Sequence, residues 1–153
     1  MKRAVWITGV PAAGKSALGQ ELVNAMKREF REPCALVDAN VIRAQFWPYL
    51  GLSPEDRVVN VKGMAELAGV FVRAGSSVVV ACIAPDREAR NRALGLVRVA
   101  AQDVAVHQVH VDAPYEPPSP EEALFVDSSK LSVGDAAQQI LAYLEQTPPR
   151  AWA

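Results

Sequence analysis

Neither charge sign dominates this chain, and little in it can cross-link. Its 16 Lys and Arg stand against 17 Asp and Glu, a net charge of −1 over 153 residues. A general nucleic-acid binder carries a strong basic excess, so the balance argues against that class. The two cysteines, Cys34 and Cys82, form no C-x-x-C pair and no metal-ligand cluster. Both lie in apolar, strand-like stretches and read as reduced, buried thiols. No apolar run approaches the ~20 residues that span a bilayer. Lys2-Arg3 followed by apolar residues has the look of a signal peptide, but Gly9 and Pro11 break the run. Internal repeats and low-complexity tracts are missing too. The length suits one domain with a sizeable core, residues 1–146, followed by a tail over 147–153. A cytoplasmic protein without nucleic-acid or membrane partners is expected.

What is there is concentrated at residues 9–16, Gly9-Val10-Pro11-Ala12-Ala13-Gly14-Lys15-Ser16, which spell G-x-x-x-x-G-K-[ST]. Residues 4–8 before them read as a short buried strand. Residues 17–31 after them carry helical spacing, with Leu18, Leu22, Ala25 and Met26 on one stripe. A loop from a strand end into a helix N-terminus aims backbone N–H groups and the positive helix end at a polyphosphate. Gly9 and Gly14 permit close backbone approach, with Ala12, Ala13 and Ala17 completing the cradle. Lys15 reaches the β/γ-phosphates and Ser16 holds Mg²⁺. The motif in this context implies a nucleoside triphosphate with Mg²⁺.

Strand and helix patterns alternate along the whole chain, the signature of an α/β fold with a parallel sheet covered on both faces. Strands are expected at 34–38, 77–82, 104–111 and 123–126. Helices are expected at 40–47, 54–73, 86–101 and 132–146, with a proline-rich loop over 113–121. Ser53-Pro54-Glu55-Asp56 combines a capping serine, a first-turn proline and a capping-box-like Asp56. His107 and His110 fall on opposite faces of their strand and read as structural. Arg87, Arg90 and Arg92 can place a cation near the phosphates, but the charged first half of their helix favours solvent-facing side chains.

Ligands of open parallel sheets bind beyond the carboxyl ends of the strands. There the second strand delivers Asp38, which can orient an attacking hydroxyl, position Mg²⁺, or simply cap the next helix. Phe46-Trp47-Pro48-Tyr49 can wall a pocket or pack under the following helix.

These stretches together resemble the adenylylsulfate kinases, which phosphorylate adenosine 5′-phosphosulfate with Mg-ATP. Val37-Asp38-Ala39-Asn40-Val41-Ile42-Arg43 is similar to the family's L-D-G-D-N-V-R. Residues 50–61, LGLSPEDRVVNV, are similar to L-G-F-S-x-x-D-R-x-x-N-I. Ile83-Ala84-Pro85-Asp86-Arg87 resembles I-S-P-x-R, and Tyr115-Glu116-Pro117-Pro118 resembles Y-E-x-P. The resemblance implies a P-loop kinase fold of three layers, with a five-stranded parallel sheet in order 2-3-1-4-5. It assigns Lys15 and Asp38 to catalysis, Ser16 and Asp38 to the metal, and Asn40, Arg43, Leu52, Arg57, Asn60, Cys82, Ile83 and Ala84 to the acceptor.

The departures point away from the family's own acceptor. Asn40 replaces a second aspartate, Leu52 and Cys82 replace two phenylalanines that sandwich adenine, and Ala84 replaces a serine. Val111-Asp112-Ala113 runs straight into Pro114-Tyr115-Glu116, where the family carries a basic lid. The expected activity is transfer of the ATP γ-phosphate to a hydroxyl of a small, anionic acceptor. The alternatives are a genuine adenylylsulfate kinase and a non-catalytic ATP-binding module, and a homodimer is compatible with each.

Overall fold

The structure, a computed structural model, describes residues 2–9, 15–82, 84, 86–100, 105–111, 118, 123–127 and 130–146. Five strands, β1 (Arg3–Gly9), β2 (Cys34–Asp38), β3 (Ser77–Ala81), β4 (Ala105–Val111) and β5 (Ala123–Val126), form one parallel sheet in order β2-β3-β1-β4-β5. The helices are α1 (Lys15–Phe30), α2 (Ala39–Phe46), α3 (Pro54–Arg73), α4 (Arg87–Ala100) and α5 (Val133–Gln146). The family order implied by the sequence is the one observed, and each expected strand and helix is present within a residue or two.

The three layers follow from residue periodicity. Along β1, Val5 and Ile7 face α1 and α5, in a core with Leu22, Met26, Val109 and Ile140. Ala4 and Trp6 face α3 and α4, in a core with Met64, Val80 and Leu94. This is the period of two that a strand imposes. Strand β3, Ser-Val-Val-Val-Ala, is buried at every position, as a parallel strand covered on both faces must be.

Local signals set the helix ends. Ser53 Oγ accepts from the Asp56 N–H at 3.2 Å, and Pro54 opens α3. The Asp56 carboxylate does not close a reciprocal capping box; it accepts from Gly51 N–H at 2.8 Å and braces the preceding turn instead. At the other end, Gly75 takes φ 91°, and the N–H groups of Gly75 and Ser76 return to the carbonyls of Val72 and Phe71. That is a Schellman motif, which needs a residue free of the Cβ penalty. Ser132 caps α5 through the Asp135 N–H at 3.1 Å.

Parallel register puts the carboxyl ends of the strands on one edge. Ile7 and Asp38 both pair with Ala81, and Gly9 pairs with Val111. The motif, Asp38 and the segment after β3 therefore share that edge. The opposite edge is closed by a polar cluster: Glu32 Oε1 accepts from Ser77 Oγ at 2.8 Å and Arg3 Nη1 at 3.2 Å.

Candidate active site

Gly9 is required by the sheet before any ligand is considered. Its φ is 147°, and a Cβ there would lie 2.0 Å from the Val111 carbonyl oxygen. Only glycine lets β1 continue beside β4 and turn into the loop. Helix α1 begins at Lys15, two residues earlier than the apolar stripe suggests, so Lys15 and Ser16 occupy its first turn. The N-terminal amides and positive helix end thus face the shared edge. Ser16 and Ala17 are exposed. The assignments of Ala12, Ala13, Gly14, Ile83 and the Lys15 side chain lie outside the described residues, as does the segment 112–117, on which the expectation of an absent lid falls.

Asp38 is half-buried and caps α2, with Oδ1 accepting from Asn40 N–H at 3.0 Å. Capping fixes the carboxylate's orientation at the sheet edge. Its second oxygen has no partner among the described residues. The Asn40 side chain is exposed beside it. Capping and chemistry are thus compatible in one carboxylate, one oxygen for each.

Further out, Arg43 Nη1 donates to the Leu50 carbonyl at 3.2 Å, tying α2 to the turn before α3. Trp47 Nε1 donates to Asn60 Oδ1 at 2.9 Å, and the indole lies on Gly63, where a Cβ would come within 2.7 Å of the ring. The aromatic segment therefore divides: Trp47 packs on α3, while Phe46 and Tyr49 are 63% and 82% exposed. Asn60, expected at the acceptor, has its carbonyl oxygen engaged by Trp47 and keeps its amide N–H₂ to donate.

Leu52, Arg57 and Ala84 come together in a cleft of about 160 Å³ between the first turns of α3 and α4. Val58, Val61 and Ala89 extend its apolar wall, and Asp86 adds a carboxylate. Arg57 Nε is buried and has no partner among the described residues. Cys82 is 1% exposed and belongs to the core on the α3/α4 side. It is not among the residues lining this cleft.

The sequence reading missed Asp86 and the Trp47–Asn60 bond at this edge, and misplaced Arg90. Asp86 lines the cleft while Oδ1 accepts from Glu88 N–H at 3.0 Å, at the start of α4. Trp47 orients Asn60. Arg90, expected in solvent with Arg87 and Arg92, is 1% exposed, and Nη1 donates to the Ala84 carbonyl. Arg87 and Arg92 are exposed as expected. Register holds the signal for Arg90: it shares a stripe with Ala93, Leu94 and Val97, at i+3, i+4 and i+7. A guanidinium can be buried there because the loop after β3 offers it a carbonyl.

Both histidines are structural. His110 Nδ1 and Thr8 Oγ1 are 2.8 Å apart, and His107 meets Tyr143 edge-on at 5.9 Å, on the other face of the sheet. Burial raises the Cys34 thiol to about 12, so it stays protonated and unreactive. Among the described residues, no cluster of three or more His, Cys, Asp or Glu can hold a metal, and no helix is long and apolar enough to cross a membrane.

The adenylylsulphate kinase family model matches residues 1–122. The chain is 29% identical over 175 residues to the adenylyl-sulfate kinase of Penicillium chrysogenum, covering 92% of this chain and 82% of that protein. It is 30% identical over 166 residues to that of Deinococcus deserti, covering 93% and 91%. Among solved structures, the hexameric APS kinase from Thiobacillus denitrificans superposes with a TM-score of 0.80 at 30% identity. That match covers 95% of this chain and 29% of the other. A mutant of the Mycobacterium tuberculosis APS kinase gives 0.79 at 27% identity, covering 95% and 98%. Edge geometry, strand order and these likenesses agree: the chain belongs to the adenylylsulphate kinase family, the ATP-dependent P-loop kinases that phosphorylate a small-molecule hydroxyl.

Proposed function

We propose that this kinase transfers the ATP γ-phosphate to a hydroxyl of a small, anionic acceptor other than adenosine 5′-phosphosulfate. The observation that carries the reading is Asp38, with one carboxylate oxygen fixed by the Asn40 N–H and the other without a partner among the described residues. The acceptor oxygen attacks the γ-phosphorus, the bond to the β–γ bridging oxygen breaks, and ADP leaves. The hydroxyl proton passes to Asp38. Lys15 and the loop amides stabilise charge on the transferring phosphoryl group. Arg43, Arg57 and Asn60 position the acceptor, alongside Asn40, Leu52, Ile83 and Ala84; the core-buried Cys82 takes no part.

Ser16 and Asp38 suit Mg²⁺, which takes few protein ligands and keeps waters and phosphate oxygens. Bound there, the ion would neutralise phosphate charge. A cytoplasmic homodimer is the proposed state; the buried, protonated thiol of Cys34 suits a reducing compartment.

A second reading, genuine adenylylsulfate kinase, is favoured by the names of the curated relatives. A transfer screen with γ-labelled ATP over hydroxylated metabolites, adenosine 5′-phosphosulfate included, separates the two. Transfer to another acceptor that is lost in Lys15→Ala supports the proposal. ATP binding without transfer to any acceptor would make the chain a non-catalytic ATP-binding module.

A further inference from the structure

We propose that His110 is a positioning residue for the nucleotide: through Thr8 it fixes where β1 ends and the phosphate-binding motif begins. The proposal rests on nucleotide binding by that motif.

The end of β1 is held unevenly. On the β3 side the last residue in register is Ile7, opposite Ala81, whereas on the β4 side the pairing runs on through Thr8–His110 to Gly9–Val111. Among the described residues, Thr8 and Gly9 are thus registered with β4 alone. Gly9 is tightly confined there, since a Cβ would lie 2.0 Å from the Val111 carbonyl oxygen. At the preceding pair the side chains meet as well. Thr8 Oγ1 and His110 Nδ1 are 2.8 Å apart, a full hydrogen bond between residues 2% and 1% exposed.

Stability alone gives no reason for this pair. A buried hydroxyl and imidazole must be desolvated before they bond, and replacing both partners by apolar groups of similar shape is nearly neutral. Strand β3 shows the apolar solution, with three valines buried in the same sheet. What a polar pair adds is direction. Hydrocarbon contacts tolerate a small slide of one strand past another, whereas a hydrogen bond weakens steeply once its distance and angle are lost. His110 is also braced by Phe125 of β5, with ring centroids 5.4 Å apart. Neither Thr8 nor His110 is exposed to a ligand; their effect is carried by Gly9, the next residue and the first of the motif. A displacement of about 1 Å can cost about 10²-fold in rate, so a smaller shift of the loop's origin should be visible in binding.

Calorimetry with Mg²⁺ and a non-hydrolysable ATP analogue, paired with urea denaturation, tests this on the full chain. The decisive variant is Thr8→Val/His110→Phe, which removes both polar partners and keeps a ring beside Phe125. It should unfold near the wild-type urea midpoint yet bind the analogue about tenfold more weakly. Thr8→Ser keeps the hydroxyl and should stay within about twofold of wild type. A pair that serves packing alone would leave affinity unchanged wherever the chain folds. Equal affinity in wild type and the folded double variant would overturn the proposal, as would a loss in Thr8→Ser as large as the double variant's. Should the double variant fail to fold, His110→Asn and His110→Gln carry the test. Asn brings an amide to where Nδ1 stands and Gln to where Nε2 stands, so only Gln should weaken binding about tenfold; equal affinities would overturn the proposal. A wild-type chain that binds no analogue would sink the nucleotide reading and this proposal together. Equally tight binding by wild type and double variant would sink the positioning role alone.

Discussion

His107 offers a stability prediction whose size can be worked out from its surroundings. It is 5% exposed on β4, against Tyr143 of α5, and its Nε2 has no partner among the described residues. Burial, with a smaller contribution from the Arg3 cation, lowers its pKa from 6.5 to about 4. The ring is therefore neutral in the fold and protonates first in the unfolded chain. Between pH 6.5 and about 4 the unfolded state binds the extra proton, so stability is full above this window, falls with pH through it, and levels off below. From pH 7 to pH 4.5 this one group should remove about 2 kcal/mol, a large share of a marginal domain's stability. Carboxylates titrate in the same range, so the assay must be differential. Urea denaturation of wild type and His107→Phe at both pH values isolates the ring, since Phe keeps the edge contact and cannot protonate. The variant should lose about 2 kcal/mol less than wild type on acidification. Identical losses would show that His107 protonates as readily in the fold as in the unfolded chain.

Gly9→Ala should cost about 3 kcal/mol or more, because its Cβ meets the Val111 carbonyl oxygen at 2.0 Å; chemical denaturation at wild-type stability would refute this. Trp47→Phe removes the donor to Asn60 and should cost about 1 kcal/mol and raise the acceptor KM without altering Mg-ATP affinity; unchanged acceptor KM would detach Asn60 from the site. Asp38→Asn should abolish turnover, whereas Asn40→Ala should mainly weaken acceptor binding. The reverse order in single-turnover assays would exchange their roles.

The fold was legible because its signals are local or periodic. Apolar runs, the Ser53 cap and Gly75 located strands and helices, and the strand order came with the family resemblance. Of the site residues, Gly9 was legible because only glycine fits its φ of 147°, and the Asp38 cap because an aspartate between a strand and a helix can accept from the first-turn N–H. Asp56 went astray because it has several partners within reach and only the packed structure selects Gly51 N–H; the Trp47 indole on Asn60 was unreadable for the same reason. Arg90 was misjudged because a charge outweighed its helical register, although the Ala84 carbonyl waits at the end of β3. Asp86 was invisible for a different reason: it lines the same cleft as Arg57, and residues 57 and 86 are brought together only by α3 and α4 packing side by side.

Steady-state kinetics with Mg-ATP and adenosine 5′-phosphosulfate tests the central claim most directly. By the family resemblance, the exposed aliphatic Leu52 and the buried Cys82 stand where two phenylalanines sandwich adenine, stacking worth about 1–3 kcal/mol per face. Turnover on this nucleotide should be weak or absent, alongside slow ATP hydrolysis that the true acceptor outpaces. Turnover of about 1–10³ s⁻¹ with micromolar affinity for adenosine 5′-phosphosulfate would contradict the altered-acceptor account.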